Sequence, residues 1–118
     1  MTSKLEEYKK LIEENISLLG YEELRYSIFE GEDNNKQDYQ IRIEYADGKY
    51  EVYLTADQAS VTGKHIFADI FDAIEKFLNI MQGRVLINRM SVKNGEAPEY
   101  NCSLWGKEWI EKNKNIDI

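Results

Sequence analysis

The chain contains little of the chemistry that builds disulfides and metal sites. It has one cysteine, Cys102, and one histidine, His65, among 118 residues. A single cysteine excludes an internal disulfide and a multi-cysteine metal site. His65 has no accompanying motif of a catalytic triad or a metal site, so we expect an ordinary loop or strand-end residue. No glycine-rich phosphate-binding motif is present. We therefore predict no cofactor and no enzymatic activity.

Basic residues are also scarce. Fifteen lysines and arginines stand against 22 aspartates and glutamates, so the formal net charge is −7. Nucleic-acid binding requires clustered basic residues, and an anionic membrane surface would repel this chain. We predict neither partner. The charge favours a protein partner with a basic surface, and the alternative is that it serves solubility alone.

Long apolar runs are missing as well. No stretch approaches the roughly 20 apolar residues of a membrane helix, and the first ten residues lack the apolar segment of a signal peptide. The length and the 42% share of hydrophobic residues suit one globular domain. We expect a single cytoplasmic domain over residues 1–118.

Two segments show the periodicity of amphipathic helices. Ser3 and Glu6 form a capping box, and the apolar spacing that follows predicts a helix from Lys4 to Leu19, closed by Gly20. Asp69 is placed to cap a second helix, which we expect to end or bend at Gly83. Residues 84–90 fit either a helical continuation or a short buried strand.

Between the helices, apolar and polar residues alternate as in strands. Residues 24–30 predict one strand, and the polar residues 31–37 predict a hairpin loop. Residues 41–55 predict two strands joined by a turn at Asp47 and Gly48, and residues 59–62 are a weaker candidate. The expected fold is α+β. An antiparallel sheet of three to five strands is packed on one face by two amphipathic helices, with a short C-terminal helix or tail.

The outward face of the predicted hairpin is the first candidate for function. The turn places Glu44 opposite Glu51 and Arg42 opposite Tyr53. Opposed carboxylates repel each other, so this face is suited to a cation from a partner or from Arg42. A plain solvated surface is the main alternative. A glycosidase-like pair of carboxylates is a third interpretation, without any sign of a cleft to support it.

Two tryptophans near the C-terminus are the second candidate. Large aromatic side chains are enriched both in cores and at binding hot spots. We expect Trp109 to pin the tail onto the domain. For Trp105, beside Gly106, both roles remain open.

The central segment EYADGKYEVYLTADQASVTGKHIFADIFDAIEKFL, residues 44–78, resembles the small immunity proteins of bacterial polymorphic toxin systems. GYEELRYSIFE and YNCSLW fit the same family, so the resemblance covers most of the chain. Its motifs are largely hairpin and helix signals, and Gln58 stands where the family pattern has an arginine. The resemblance implies a non-enzymatic antidote that binds a cognate toxin domain in the producing cell. Many such toxins are nucleases with basic clefts.

The resemblance supplies no set of toxin-contacting residues, so the predicted contacts rest on the outward sheet face, the acidic loops and one tryptophan. They are Glu44, Glu51, Tyr53, Asp57, Glu32, Asp33 and Trp105. The alternative function is a small regulatory domain that associates with itself, and both a monomer and a homodimer remain open.

Overall fold

The computed structural model describes residues 3–56 and 63–106. Two helices enclose four strands in the order of the chain. The elements are α1 (Lys4–Leu19), β1 (Tyr26–Ile28), β2 (Ile41–Ala46), β3 (Lys49–Leu54), β4 (His65–Phe67) and α2 (Ile70–Lys93). The α+β class is therefore confirmed.

The predicted ends of α1 and the predicted start of α2 are present. Ser3 accepts a hydrogen bond from the Glu6 amide at 3.1 Å, and Gly20 ends α1 in the left-handed region at φ 74°. Asp69 caps α2 by accepting from the Phe71 amide at 2.7 Å. Both helices therefore begin where a side-chain oxygen satisfies a free backbone amide.

Helix α2 extends beyond the glycine at which the sequence predicted an end or a bend. It runs through Gly83 to Lys93. Of the two predicted outcomes at Gly83, an end of the helix is therefore wrong, and a bend stays a prediction. Residues 84–90 are helical, and Val85 and Asn88 on this stretch are buried. Tertiary packing of the second half of α2 thus outweighs the weak helix propensity of one glycine.

The sheet has the order β1-β2-β3-β4 and is mixed. Strands β2, β3 and β4 are antiparallel neighbours, but β1 pairs with β2 in parallel, with Ser27 opposite Arg42. The predictions of a purely antiparallel sheet and of a hairpin loop at residues 31–37 are wrong. Parallel neighbours need a connection of about a dozen residues that crosses one face of the sheet. Residues 29–40, hereafter the crossover loop, make this connection.

The hairpin between β2 and β3 has the predicted register. Asp47 and Gly48 have φ values of 52° and 77°, as a tight two-residue turn requires. Glu44 consequently lies opposite Glu51, and Arg42 lies opposite Tyr53. The weaker strand candidate at residues 59–62 falls outside the described residues, and β4 lies just beyond it.

One apolar cluster joins the helices to one sheet face. It includes Ile12 and Ile16 of α1, Ile43 of β2, Val52 of β3 and Phe77 of α2. Each of these side chains is fully buried. Since the helices occupy this face, only the opposite face remains for the crossover loop.

Candidate partner-binding surface

The outward sheet face is covered by the crossover loop. Arg42 and Tyr53 are fully buried, and Glu44 is 5% exposed. The prediction that this face is open is therefore wrong. The physical cause is the parallel pairing of β1 and β2, which carries the chain across the face in between.

Arg42 holds the crossover loop from beneath. Its Nη2 atom donates to the carbonyl oxygens of Gly31 at 2.7 Å and Asn34 at 2.8 Å. Its Nη1 atom donates to Oε1 of Gln40 at 2.6 Å. One buried guanidinium group therefore ties the start, middle and end of the loop to β2, an arrangement that suits the several donors of arginine.

Glu44 completes this buried site. Its Oε1 atom lies 3.3 Å from Nη2 of Arg42, and its Oε2 atom accepts a hydrogen bond from the Gly31 amide at 2.8 Å. Burial raises the pKa of Glu44, against the opposing influence of the Gly31 amide and Arg42. Within the described residues, Nε of Arg42 and the hydroxyl of Tyr53 have no hydrogen-bond partner.

The end of the crossover loop has its own anchor at Thr55, the residue that follows β3. The Gln40 amide donates to Oγ1 of Thr55 at 2.8 Å, and the Thr55 hydroxyl donates to the carbonyl oxygen of Gln37. The Gln40 side chain donates to the carbonyl oxygen of Asn35 at 2.8 Å. The loop is thus fastened to both central strands.

Lys64 links the exposed side of the loop to β3. Its Nζ atom lies 2.7 Å from Oε1 of Glu32 and 3.4 Å from Oε1 of Glu51, and 5.1 Å above the Tyr53 ring. The hydrogen bond from Lys64 lowers the pKa of Glu32, and the same bond raises the pKa of Lys64. The repulsion between Glu44 and Glu51 is thereby offset by two different cations, because Arg42 pairs with Glu44 and Lys64 pairs with Glu51.

The exposed side of the crossover loop is acidic. The loop carries four carboxylates, on Glu30, Glu32, Asp33 and Asp38, against one lysine, Lys36. The Asp33 side chain is 97% exposed and lies 3.7 Å from the Lys36 ammonium. A surface pair of this kind contributes little to stability, so its charge stays available to a partner.

The predicted contact residues separate into distinct environments. Glu32 and Asp33 are exposed on the loop, and Glu51 is partly exposed beside Lys64. Glu44 and Tyr53 lie beneath the loop, where they have almost no surface to offer a partner. Asp57 lies outside the described residues. Which of these residues contacts a partner stays a prediction.

Trp105 is a core residue. Its ring is fully buried, its Nε1 atom donates to the carbonyl oxygen of Tyr100 at 2.8 Å, and the Tyr100 ring packs against it edge-on at 5.1 Å. Arg25 in turn lies 4.2 Å over the Tyr100 ring. Trp105 therefore fastens the segment after α2 to the domain. Trp109 and the predicted C-terminal helix fall outside the described residues.

Sequence reasoning missed the partners that hold the loop. Gln40, Thr55 and Lys64 each bind a group far away along the chain, as the hydrogen bond from Lys64 to Glu32 shows. No local spacing reveals such contacts. The only sequence signal is Arg42 itself, a basic residue that stands between Gln40 and Glu44 on the outward face of the hairpin.

Within residues 3–56 and 63–106, no group of three or more histidine, cysteine, aspartate and glutamate side chains is arranged to hold a metal ion. In the same part of the chain, no helix is long and apolar enough to cross a membrane. His65 is exposed at the start of β4.

The fold and this surface define a small α+β domain with an exposed acidic loop, which buried hydrogen bonds hold against the sheet. The family described as Immunity protein 59 matches residues 5–106, and the chain belongs to that family. No curated protein and no solved structure matched the chain.

Proposed function

We propose that this chain binds and neutralises a cognate toxin domain of a bacterial polymorphic toxin system, in the cytoplasm of the cell that makes both. The observation that carries the proposal is membership of an immunity protein family over residues 5–106. Neutralisation of this kind needs no chemistry from the chain. It requires only that a tight complex cover the active site or the substrate surface of the toxin.

The crossover loop is the contact surface that we propose. Its exposed carboxylates, together with Glu51 and Asp57, complement a basic cleft such as that of a nuclease toxin. Arg42, Glu44 and Tyr53 act from beneath by fixing the loop conformation before the partner arrives. A surface ordered in advance loses less conformational entropy on binding.

The first test is to purify the tagged protein from its native host at low and at high salt. We expect one stoichiometric partner with a toxin-like domain, held less tightly at high salt because the contact is electrostatic. Co-expression of that partner with this chain should restore growth to cells that the partner alone kills. Growth arrest in spite of a stable complex would contradict neutralisation.

A matched pair of charge reversals tests the surface. Asp33→Lys and Glu96→Lys change the net charge equally, but only Asp33 lies on the crossover loop; Glu96 is exposed beyond the end of α2. We expect Asp33→Lys to weaken the complex by about tenfold or more, mainly through slower association. Glu96→Lys should leave it nearly unchanged. Equal effects would show that net charge, and not the loop, is recognised.

Self-association is the second candidate function, and one feature favours it. Leu86, Ile87 and Met90 form an apolar stripe on the outer face of α2, and each is between 44% and 48% exposed. A second copy of the chain would bury such a stripe. Sedimentation over a wide concentration range distinguishes the cases, since a monomer throughout contradicts this candidate.

A further inference from the structure

Five aromatic side chains gather on the helix side of the sheet, near the hairpin turn. They are Tyr8 of α1, Phe29, Tyr45, Tyr50 and Phe71 of α2, hereafter the aromatic cluster. The rings of Tyr45 and Tyr50 are 5.2 Å apart, and those of Phe29 and Tyr50 are 6.3 Å apart. Tyr8 meets Phe71 edge-on at 6.3 Å. The Tyr8 and Phe71 pair thus joins the N-terminal regions of the two helices, and the other three rings gather at the hairpin. The two groups are near each other, since Tyr8 influences the pKa of Tyr50.

Part of this cluster faces solvent. Phe71 is 61% exposed and Tyr45 is 47% exposed, whereas Tyr8, Phe29 and Tyr50 are partly buried against the core. A phenylalanine side chain with this much exposed surface contributes little to the stability of the fold. Tyrosine and phenylalanine with one face packed and the other exposed are typical of the centres of protein interfaces.

The backbone at Phe29 points to the same surface. This residue has φ 55°, a left-handed conformation that a bulky side chain rarely adopts. Phe29 is the first residue of the crossover loop, and its amide still donates to the carbonyl oxygen of Ile43 at 2.9 Å. The strained residue thus places a ring in the cluster while the chain turns into the loop. Strain of this kind is typical of functional sites.

Asp69 lies beside the cluster, since the residue paired with Tyr50 in β4 stands only two positions before it. Burial raises the pKa of Tyr50, and the nearby Tyr8, Tyr45 and Asp69 raise it further. The Asp69 carboxylate is exposed, and its Oδ1 atom accepts the capping hydrogen bond from Phe71. In the described part of the chain, no salt bridge involves Asp69. The rings and the carboxylate thus provide a site for a cation that this part of the chain does not fill.

We propose that the aromatic cluster and Asp69 bind an arginine side chain presented by the partner protein. Guanidinium fits better than ammonium, because its plane stacks on an aromatic ring while its edge pairs with a carboxylate. The inference rests on the proposed function for the identity of the partner as the toxin. It adds a second contact surface to the crossover loop, which begins at Phe29.

The first test needs no partner. N-acetyl-arginine-methylamide is titrated into the protein, and the ring proton resonances of the tyrosines and phenylalanines are followed by NMR. We expect saturable shifts for Tyr45, Tyr50 and Phe71, with the matching lysine derivative binding about threefold or more weakly. Shifts that do not saturate, or equal shifts with both derivatives, would overturn the arginine site.

Two conservative variants separate charge from structure. Asp69→Asn keeps a good helix cap but removes the charge, and should weaken arginine binding by about threefold or more. Tyr45→Phe keeps the ring and should retain binding, while Tyr45→Ala should lose it. Arginine binding that is unchanged in both Asp69→Asn and Tyr45→Ala would contradict the site.

The purified partner then tests the surface in the complex. Phe71→Ala should weaken the complex by about tenfold or more, whereas Leu18→Ala should not, although Leu18 is 86% exposed on α1. A complex that forms but tolerates Phe71→Ala overturns the aromatic surface and leaves the proposed function intact. If no toxin co-purifies, the proposed function fails, and the arginine titration still decides whether the site exists.

Discussion

At position 42, a guanidinium group lies fully buried between the sheet and the crossover loop. Its charge is balanced by Glu44 and shared among the carbonyl oxygens of Gly31 and Asn34 and the Gln40 side chain. A buried charge is tolerated only when its partners are in place, because the interior does not solvate it. Each group at this site therefore depends on the others.

Removal of this guanidinium should be costly. Arg42→Met leaves Glu44 and the loop carbonyl groups buried without their donor, so we expect a loss of about 3–5 kcal/mol in the free energy of unfolding. Urea denaturation measures it. Lys64→Met removes the partly exposed pair with Glu32 and should cost about 1 kcal/mol or less. Adding Glu44→Gln to Arg42→Met should restore part of the loss; no recovery would contradict a charge-balanced pair.

The contribution of Glu44 to stability should change with pH in a definite direction. Because its pKa is raised above the ordinary 4.5 by burial, the folded protein holds this proton more tightly than the unfolded chain. The contribution of Glu44 to stability should therefore fall as the pH rises above about 4.5 through the raised pKa. Urea denaturation of the native chain and Glu44→Gln from pH 4 to pH 7.5 tests this. If the free energy of unfolding of the native chain, relative to that of Glu44→Gln, increased with pH, the effect of Arg42 on the pKa of Glu44 would outweigh that of burial.

Glu30 provides the opposite control. The hydrogen bond from the Ser27 hydroxyl, 2.7 Å away, is the main cause that lowers the pKa of Glu30 below its ordinary 4.5. Its stabilising contribution is present above that value and is lost as the pH falls through the lowered pKa. The loss of stability caused by Glu30→Gln should therefore become smaller only at acidic pH. This pH dependence is opposite in direction to that expected for Glu44.

At the scale of elements, two glycines show how context decides the effect of a side chain. Gly31 lies in the crossover loop at φ 99°, and an added Cβ would lie 2.9 Å from Nδ2 of Asn34. That amide group donates to the carbonyl oxygen of Glu30, so it is not free to move away. Gly83 lies inside α2 with nothing within 4 Å of an added Cβ.

Alanine at these two positions should have opposite effects. We expect Gly31→Ala to destabilise the protein by about 1–3 kcal/mol through backbone strain and the close contact with Asn34. Gly83→Ala should stabilise it by about 0.5–1 kcal/mol, because alanine favours the helix. Thermal unfolding of both variants measures the difference. A destabilised Gly83→Ala protein would contradict the open space around Gly83.

The same scale shows what the sequence could predict. Helix caps, apolar stripes and the Asp47–Gly48 turn are local signals, and they predicted α1, the start of α2 and the register of the hairpin. The parallel pairing of β1 was not predictable, because a polar loop has the same composition whether it turns back or crosses the sheet. The burial of Arg42 and Tyr53 followed from that crossing, so alternation along β2 and β3 could not reveal it.

For the whole molecule, one apolar cluster contains residues from both helices, three strands and the segment after α2. It joins Ile12, Ile28, Ile43, Phe77 and Trp105. No subset of these elements has a core of its own, since each buries its apolar face against the others. The described residues should therefore unfold as one cooperative unit, as small domains with a single core usually do.

This cooperativity is measurable because Trp105 lies in the common core. In a Trp109→Phe variant, tryptophan fluorescence reports on Trp105 alone, while far-UV circular dichroism reports mainly on the two helices. We expect one thermal midpoint by both methods, and a red-shifted emission once Trp105 meets water. Fluorescence that changes before the helices melt would separate the segment after α2 from the rest. The prediction of one domain over residues 1–118 would then be wrong, and α1, the sheet and α2 would form the only cooperative unit.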